Sequence, residues 1–274
     1  MATDFSWGIL GTSSGAAQIT TALKRGGRHI AGVAGKSFSQ AIAFATQNAI
    51  MQAMLNPQQL LANQQIDAVF FDTDYAASGL IKRALQSGKH VLLQEFSAQK
   101  LAELTPLKKL AEQTKLQLAI LNPLLTMPLV KKMGTLLTTQ TVKKVTMYIA
   151  PKQDPDKYAR IFCSWLGSLL PKAKLAVKGK QLLFKGPHLV AEVAQSTEPD
   201  LIEKLLLETN QAVYSLDSAL VPLSLQTNGS EPELLGQAKL AQLYFVEEFE
   251  KQAGRNYLLL EKQIMILNLL QRLM

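Results

Sequence analysis

The stretch FSWGILGTSSGAAQITTALKRGGRHIAGVAGK, residues 5–36, decides the fold. Its apolar run from Trp7 to Leu10 stops at Gly11, and apolar residues then recur at helical spacing as far as Leu23. A second apolar run, Ile30 to Ala34, follows a Gly-Gly break. This order predicts a parallel strand, helix, strand unit. Such a unit places the unpaired N–H groups of the helix at the carboxyl end of the first strand, where a phosphate can be held.

The turn between the first strand and the helix matches two of the three positions of a dinucleotide-binding turn. That turn uses glycine first for the bend, glycine second for close approach of the pyrophosphate, and glycine or alanine third for packing. Here Ser13 takes the second position. Two interpretations stay open: a turn that only serves the fold, or a phosphate-binding turn with a serine hydroxyl as an extra donor. The turn comprises Gly11, Thr12, Ser13, Ser14 and Ala16.

Composition indicates a folded protein of one large or two ordinary domains, since 47% of the 274 residues are hydrophobic and 18% are charged. The net charge is +8, and part of it comes from lysines that alternate with apolar residues between Lys172 and Lys180. A strand with one solvated face explains that alternation, and an anion-binding or nucleic-acid face is the alternative. Because no aromatic residue is interleaved with these lysines, we expect no nucleic-acid partner.

The chain has one cysteine, Cys163, and three histidines, without the spacing of metal ligands. We therefore predict no metal site, no internal disulfide and a reducing, cytoplasmic location. No basic segment followed by an apolar core begins the sequence, which predicts no secretory signal. The apolar stretch from Tyr257 to Met274 is interrupted by charges, so we expect no membrane partner.

The alternation of elements predicts an α/β first domain, residues 1–121, with a doubly wound parallel sheet of the Rossmann type. Further strands are predicted at 66–72, 90–93 and 116–121, with helices at 39–48, 75–87 and 99–114.

From residue 122 the pattern changes, and residues 122–274 are predicted to form an α+β domain with a mainly antiparallel open sheet. A helix at 127–137 and strands at 142–150 and near Leu175, Leu182 and Val190 are expected first. Helices at 199–212, 231–253 and 257–273 follow. The last helix is apolar over much of its circumference, so it needs cover within the domain or in a subunit contact.

Three segments resemble the Gfo/Idh/MocA oxidoreductases: WGILGT at 7–12, IDAVFFDT at 66–73 and ALQSGKHVLLQE at 84–95. The resemblance implies an N-terminal Rossmann domain that binds NAD or NADP and a C-terminal open-sheet domain through which subunits often associate. It also implies a small-molecule substrate of the sugar or polyol type and a homo-oligomer.

The chain departs from the family at the functional motifs. At the Thr-Pro-Asn-x-x-His positions only Thr73 remains, and Ser78 replaces the histidine. At the Glu-Lys-Pro positions stand Gln94, Glu95 and Phe96, so a carboxylate replaces the lysine beside the reacting carbon. A carboxylate can accept a proton but repels a developing oxyanion, which an ammonium would stabilise.

In the second domain, His188 and Tyr158 are the nearest chemical substitutes for the residue that completes the family's site. Lys36 follows the second strand where an acid would favour NAD, so NADP is preferred to NAD unless Lys36 is merely a loop lysine. Two hypotheses remain. One is an NADP-preferring oxidoreductase that uses Glu95 or a second-domain residue, and the other is a non-catalytic relative that keeps the fold for nucleotide binding or assembly.

Overall fold

The computed structural model describes residues 5–96, 101–126, 128–139, 141–149, 174–178, 181–185, 189–195, 203–217, 223–231, 233–236, 241–255 and 257–273. The candidate residues Tyr158 and His188, and also Cys163, lie outside the described residues. By the clustering of its contacts the chain forms two units. One contains residues 1–123 and 242–264, and the other contains residues 124–241 and 265–274.

A six-stranded parallel sheet forms the centre of the first unit, as the sequence predicts. Its strands in spatial order are β3-β2-β1-β4-β5-β6. Every neighbouring pair is parallel. Numbered along the chain, they are β1 (Trp7–Leu10), β2 (Ile30–Ala34), β3 (Ala53–Met54), β4 (Ala68–Phe71), β5 (His90–Leu93) and β6 (Leu118–Ile120). The short edge strand β3 was not predicted.

Helices connect these strands, and most begin near the predicted residues. They are α1 (Ser14–Arg25), α2 (Phe38–Gln47), α3 (Pro57–Ala62), α4 (Ser78–Gln86) and α5 (Leu101–Thr114). The helix predicted from residue 75 begins at Ser78, because Thr73–Tyr75 forms a separate 3-10 helix capped by the Asp72 carboxylate. In the first βαβ unit, the side chain of Ser13 caps the N-terminus of α1.

The second unit contains helix α6 (Pro128–Thr139) and an eight-stranded sheet in the order β14-β13-β12-β11-β7-β10-β9-β8. All its neighbouring pairs are antiparallel except β7 with β10. This confirms the predicted fold class. The strands are β7 (Val142–Ile149), β8 (Lys174–Lys178), β9 (Gln181–Lys185), β10 (Leu189–Gln195), β11 (Glu203–Thr209), β12 (Val213–Asp217), β13 (Leu223–Thr227) and β14 (Glu233–Gly236).

One helix prediction is wrong, and a second, at 231–253, is right for Ala241–Gln252 but not for residues 233–236. The Leu-rich run predicted as a helix at 199–212 forms β11, which pairs with both β7 and β12. A continuous apolar run fits a buried central strand as well as a helix, so periodicity could not distinguish them. Residues 233–236, predicted as helical, form β14 after a turn in which Asn228 and Gly229 both have positive φ. An Asn-Gly pair is a hairpin signal that the prediction overlooked.

Two helices follow β14: α7 (Ala241–Gln252) and α8 (Leu258–Leu273). We expected residues 242–264 in the second domain, but their contacts place them in the first unit. Phe245 and Phe249 are fully buried in the same cluster as Trp7. The Glu250 carboxylate accepts a hydrogen bond from Trp7 Nε1 at 3.1 Å and forms an ion pair with Arg28 at 2.7 Å. Among the described residues, no helix has the length and hydropathy needed to cross a membrane.

Candidate functional site

The turn after β1 has the backbone of a tight strand-to-helix connection. Gly11 has φ +119°, and a Cβ built on it would lie 2.1 Å from Asp72 Cβ, so only glycine fits there. Ser13 Oγ accepts the N–H groups of Gly15 and Ala16 at 3.1 and 3.3 Å. The N-terminus of α1 is therefore at the carboxyl end of β1, as predicted, and its first N–H groups are partly satisfied by the serine in the second position of the turn.

A buried carboxylate, not predicted as a site residue, lies against this turn. Asp72 follows β4 directly and is 5% exposed. One of its oxygens accepts the Ser13 N–H at 3.0 Å, and the other accepts the Thr73 N–H at 2.8 Å. An acid that ends an otherwise apolar buried strand at the carboxyl edge of a parallel sheet was the sequence signal that could have identified it.

The amide of Gln94 lies over the same turn. Gln94 follows β5, and a Cβ built on Gly15 would be 2.2 Å from its Nε2 atom. The Gln94 Oε1 atom is buried and has no hydrogen-bond partner within the described part of the chain. An unsatisfied buried oxygen is unusual in native proteins, and this one retains the capacity to accept a hydrogen bond from a ligand or a water.

Lys36 lies at the end of β2 and already has an anionic partner. Its Nζ is 2.5 Å from Asp74 Oδ2, and both side chains are more than half exposed. The hydrogen bond and charge of Asp74 raise the pKa of Lys36. The end of β2 lies close to the turn, because a Cβ on Gly35 would be 3.1 Å from Thr12 Cγ2. The sequence has no acid at the end of β2, but in the structure Asp74, from the segment after β4, lies beside Lys36.

Tyr75 lies near this ion pair. Its hydroxyl is buried and has no hydrogen-bond partner among the described residues. Burial raises the pKa of Tyr75, and the charge of Lys36 opposes that rise. The segment after β4 therefore contributes a second buried polar atom that a bound molecule could satisfy.

The remaining predicted residues differ in their surroundings. Ser78 begins α4, and its hydroxyl donates to the Glu103 carboxylate on α5. Thr73 is exposed at the start of the 3-10 helix. Glu95 is exposed, and the next residue, Phe96, is buried. Contacts thus bring together the turn, Thr73, Gln94 and the strand end that carries Lys36, whereas Ser78 bonds to α5.

Residues 5–121 match the sequence model of the GFO_IDH_MocA family, described as an oxidoreductase family with an NAD-binding Rossmann fold. The match to the Gfo/Idh/MocA family thus covers the predicted first domain. The resemblance stated from the three sequence segments is thereby confirmed for this domain.

Solved structures of Gfo/Idh/MocA-type enzymes have the same fold over almost the whole chain. A 3-ketoreductase from Actinomadura kijaniata, in complex with NADP and TDP-benzene, has a TM-score of 0.73 at 13% identity, covering 98% of this chain and 96% of that chain. UDP-N-acetylglucosamine 3-dehydrogenase from Acidithiobacillus ferrooxidans gives 0.72 at 16% identity, covering 98% and 96%. A dehydrogenase from Clostridium difficile gives 0.75 at 12% identity, covering 98% and 100%. At these identities the likeness establishes the fold alone.

The backbone of the turn suits a bound dinucleotide, but the Asp72 carboxylate places a negative charge beside it. The left-handed Gly11, the capped N-terminus of α1 and the unsatisfied Gln94 oxygen provide close approach and hydrogen-bonding capacity for a Gfo/Idh/MocA cofactor. The Asp72 carboxylate takes the Ser13 N–H, which a phosphate oxygen would otherwise accept. The backbone of the turn is therefore compatible with a bound dinucleotide, and the Asp72 carboxylate already occupies one of its N–H groups.

Proposed function

We propose that this protein binds a nicotinamide dinucleotide at the turn between β1 and α1, and that it is an NADP(H)-preferring oxidoreductase acting on a sugar or polyol-like substrate. The observation that carries the proposal is the turn itself. The left-handed Gly11 and the N-terminus of α1 lie beside the Gln94 amide, whose Oε1 atom has no partner in the described part of the chain. The domain that contains them matches the model of an NAD-binding family.

Several residues would share the binding of the dinucleotide. The backbone of Thr12, Ser13 and Ser14 would hold the pyrophosphate, and Gly11 and Ala16 would permit its approach. Around the turn, the proposed cofactor-binding side chains are those of Lys36, Thr73 and Gln94. The preference for NADP rests on Lys36, the exposed cation at the end of β2, which would contact a 2′-phosphate after leaving Asp74.

The proposed substrate class follows from the similar enzymes, which include a 3-ketoreductase bound to TDP-benzene and a UDP-N-acetylglucosamine 3-dehydrogenase. The dinucleotide supplies or accepts the hydride in this chemistry. Glu95 occupies the place of the family's lysine, and its carboxylate would accept the hydroxyl proton of an alcohol.

Binding is tested by titration of the full-length protein with NADPH and NADH, followed by nicotinamide fluorescence and thermal unfolding. A ligand at a hundred times its Kd stabilises the folded state by about 2.7 kcal/mol, which raises the melting temperature by several degrees. We expect a response to both cofactors and a lower Kd for NADPH. No response to either at millimolar concentration would end the proposal.

A second function, nucleotide binding without catalysis, is favoured by the residues at two of the family's motif positions, Glu95 and Ser78. The family's ammonium is replaced by a carboxylate, and the residue at the family's histidine position, Ser78, donates to Glu103. Neither group stabilises an oxyanion. The Actinomadura kijaniata enzyme has also been solved as a lysine-to-glutamate variant in complex with NADP and TDP-benzene, so that variant still binds both molecules.

Turnover distinguishes the two functions. Sugars, sugar nucleotides and polyols are incubated with NADP+ or NADPH, and absorbance at the nicotinamide band is followed. If Glu95 acts as a general base, Glu95→Gln should lower kcat by about 10²-fold or more. Glu112→Gln, a change of another exposed carboxylate, is the matched control and should leave kcat unchanged. A silent wild-type protein that binds NADPH, together with a Glu95→Lys variant that turns over, would favour the non-catalytic function.

A further inference from the structure

We propose that Asp72 is a built-in anion at the phosphate-binding turn, which weakens the binding of the dinucleotide by occupying a turn N–H and by charge repulsion. The inference rests on the proposed function, because it concerns the affinity of the same site.

The position of Asp72 supports this role in three ways. The side chain is 5% exposed, so water screens its charge weakly. Its carboxylate accepts N–H groups from both the turn and the 3-10 helix, at 3.0 Å from Ser13 and 2.8 Å from Thr73. The absent side chain of Gly11 leaves the space into which Asp72 packs.

Among the described residues, no close cation neutralises the charge of Asp72. In the described part of the chain no ion pair within 4.0 Å involves Asp72. Lys36 is close enough for Asp72 to contribute to the raised pKa of its ammonium group, but its ammonium is bound to Asp74. The turn therefore presents a phosphate with a buried negative charge beside the N–H groups that would hold it.

A pyrophosphate competes with this arrangement in two respects. It needs N–H donors at the start of α1, and the Ser13 N–H is already used. It also brings negative charge beside a carboxylate that is held in place by two hydrogen bonds, and like charges in a weakly screened site repel strongly. Removal of the Asp72 charge should therefore increase the affinity, whereas a residue that only supports the turn would decrease it when changed.

The test measures the Kd of NADPH and NADH for the full-length wild-type protein, Asp72→Asn and Asp72→Ala by fluorescence titration. Asp72→Asn keeps an acceptor for the Ser13 or Thr73 N–H while it removes the charge. We expect the Kd to fall at least tenfold in both variants. Asp72→Ser replaces any variant that lacks a cooperative thermal transition.

Asp67→Asn is the matched control. Asp67 also accepts a backbone N–H, from Ser6 at 2.9 Å, but it precedes β4 and lies at the opposite, amino edge of the sheet. Asp67→Asn makes the same change in net charge and should leave the Kd within about twofold of the wild-type value. A tenfold effect seen only in the Asp72 variants would therefore come from a local interaction and not from net charge.

The outcomes separate this inference from the proposed function. If the wild-type protein binds and the Asp72 variants bind equally or more weakly, the inference is overturned and the proposed function stands. If the wild-type protein does not bind and the variants do, the inference is supported and the proposed function fails for the natural sequence. If no variant binds at millimolar NADPH, both are overturned.

Discussion

The two edges of the first sheet differ in the burial and the partners of their charged side chains. At the amino edge, Lys89 and Glu250 are buried and each has several partners: Lys89 donates to the carbonyls of Asn63 and Ile66, and Glu250 binds both Arg28 and Trp7. At the carboxyl edge, Lys36, Asp74 and Glu95 are exposed, and the buried Asp72 faces the turn.

This difference separates structural charge from charge that is accessible to a ligand. A buried ion pair with all its hydrogen bonds made has no capacity for another partner, whereas the exposed pair of Lys36 and Asp74 can exchange partners at little cost. Ligands of open parallel sheets bind outside the carboxyl ends of the strands, and the distribution of charge in this protein agrees with that rule.

Replacement of Glu250 should have the largest effect on stability. Glu250→Ala removes the buried carboxylate that pairs with the half-buried Arg28 and accepts the Trp7 N–H, and removal of one member of a buried pair typically costs about 3–5 kcal/mol. Chemical denaturation should show this loss, while the Kd of NADPH for the folded fraction stays unchanged. Glu261→Ala, which removes the more exposed partner of Lys108, should change stability by about 1 kcal/mol or less. Equal losses in the two variants would contradict the distinction.

His90 should make the amino edge sensitive to acid. Burial lowers the pKa of His90 to about 4 from 6.5, and the charge of Asp67 opposes this only in part. Between about pH 6.5 and pH 4, His90 is therefore protonated in the unfolded chain but neutral in the folded protein. The free energy of unfolding falls as the pH falls through this window. The loss approaches at most about 3 kcal/mol.

His90→Asn keeps an acceptor for the Gln117 N–H, which His90 Nδ1 now accepts at 2.8 Å. Denaturation of this variant at pH 7 and pH 4.5 should show a smaller pH dependence than the wild-type protein. An identical slope in both proteins would remove His90 as its source.

At the carboxyl edge, Gln94→Leu should stabilise the protein and impair binding. The change removes the buried, unpartnered Oε1 atom, and removal of an unsatisfied buried polar group is worth about 1 kcal/mol or more. The melting temperature of the free protein should rise, and the Kd of NADPH should also rise, because the variant binds the cofactor more weakly. A variant that is less stable and binds equally well would show that Gln94 serves the fold alone.

The smallest predicted effect concerns cofactor choice. Asp74→Asn frees Lys36 from an exposed ion pair, so NADPH should bind about fivefold more tightly, while NADH changes little. Parallel titrations with the two cofactors measure the ratio. An equal increase in affinity for NADPH and NADH would show that Asp74 does not act through the 2′-phosphate.

Local sequence signals predicted the first sheet well because its elements are short and sharply punctuated. β1, β2 and β5 have the predicted bounds, and Ser13, a good helix cap, ends the turn at the start of α1. The strand β3 was missed because its two residues, Ala53 and Met54, carry no periodicity. The second sheet was harder, since β11 owes its conformation to pairing with strands distant in sequence.

The candidate site was chosen from the sequence, and the hydrogen bonds and ion pair around it were not predicted. The turn, Gln94 and Lys36 could be found from spacing and from the family's motifs. The bonds of Asp72 to Ser13 and of Asp74 to Lys36 join segments more than thirty residues apart, so no local pattern encodes them. A search for acids at the ends of buried strands would have selected Asp72.

The return of α7 to the first unit has a consequence during protein synthesis. Phe245, Val246 and Phe249 complete the cluster around Trp7, yet residues 124–241 leave the ribosome before them. At translation rates of about 5–20 residues per second, the apolar surface around Trp7 stays uncovered for on the order of ten seconds. We expect chaperones that recognise apolar surface to bind the nascent chain during this interval and to be released once α7 docks.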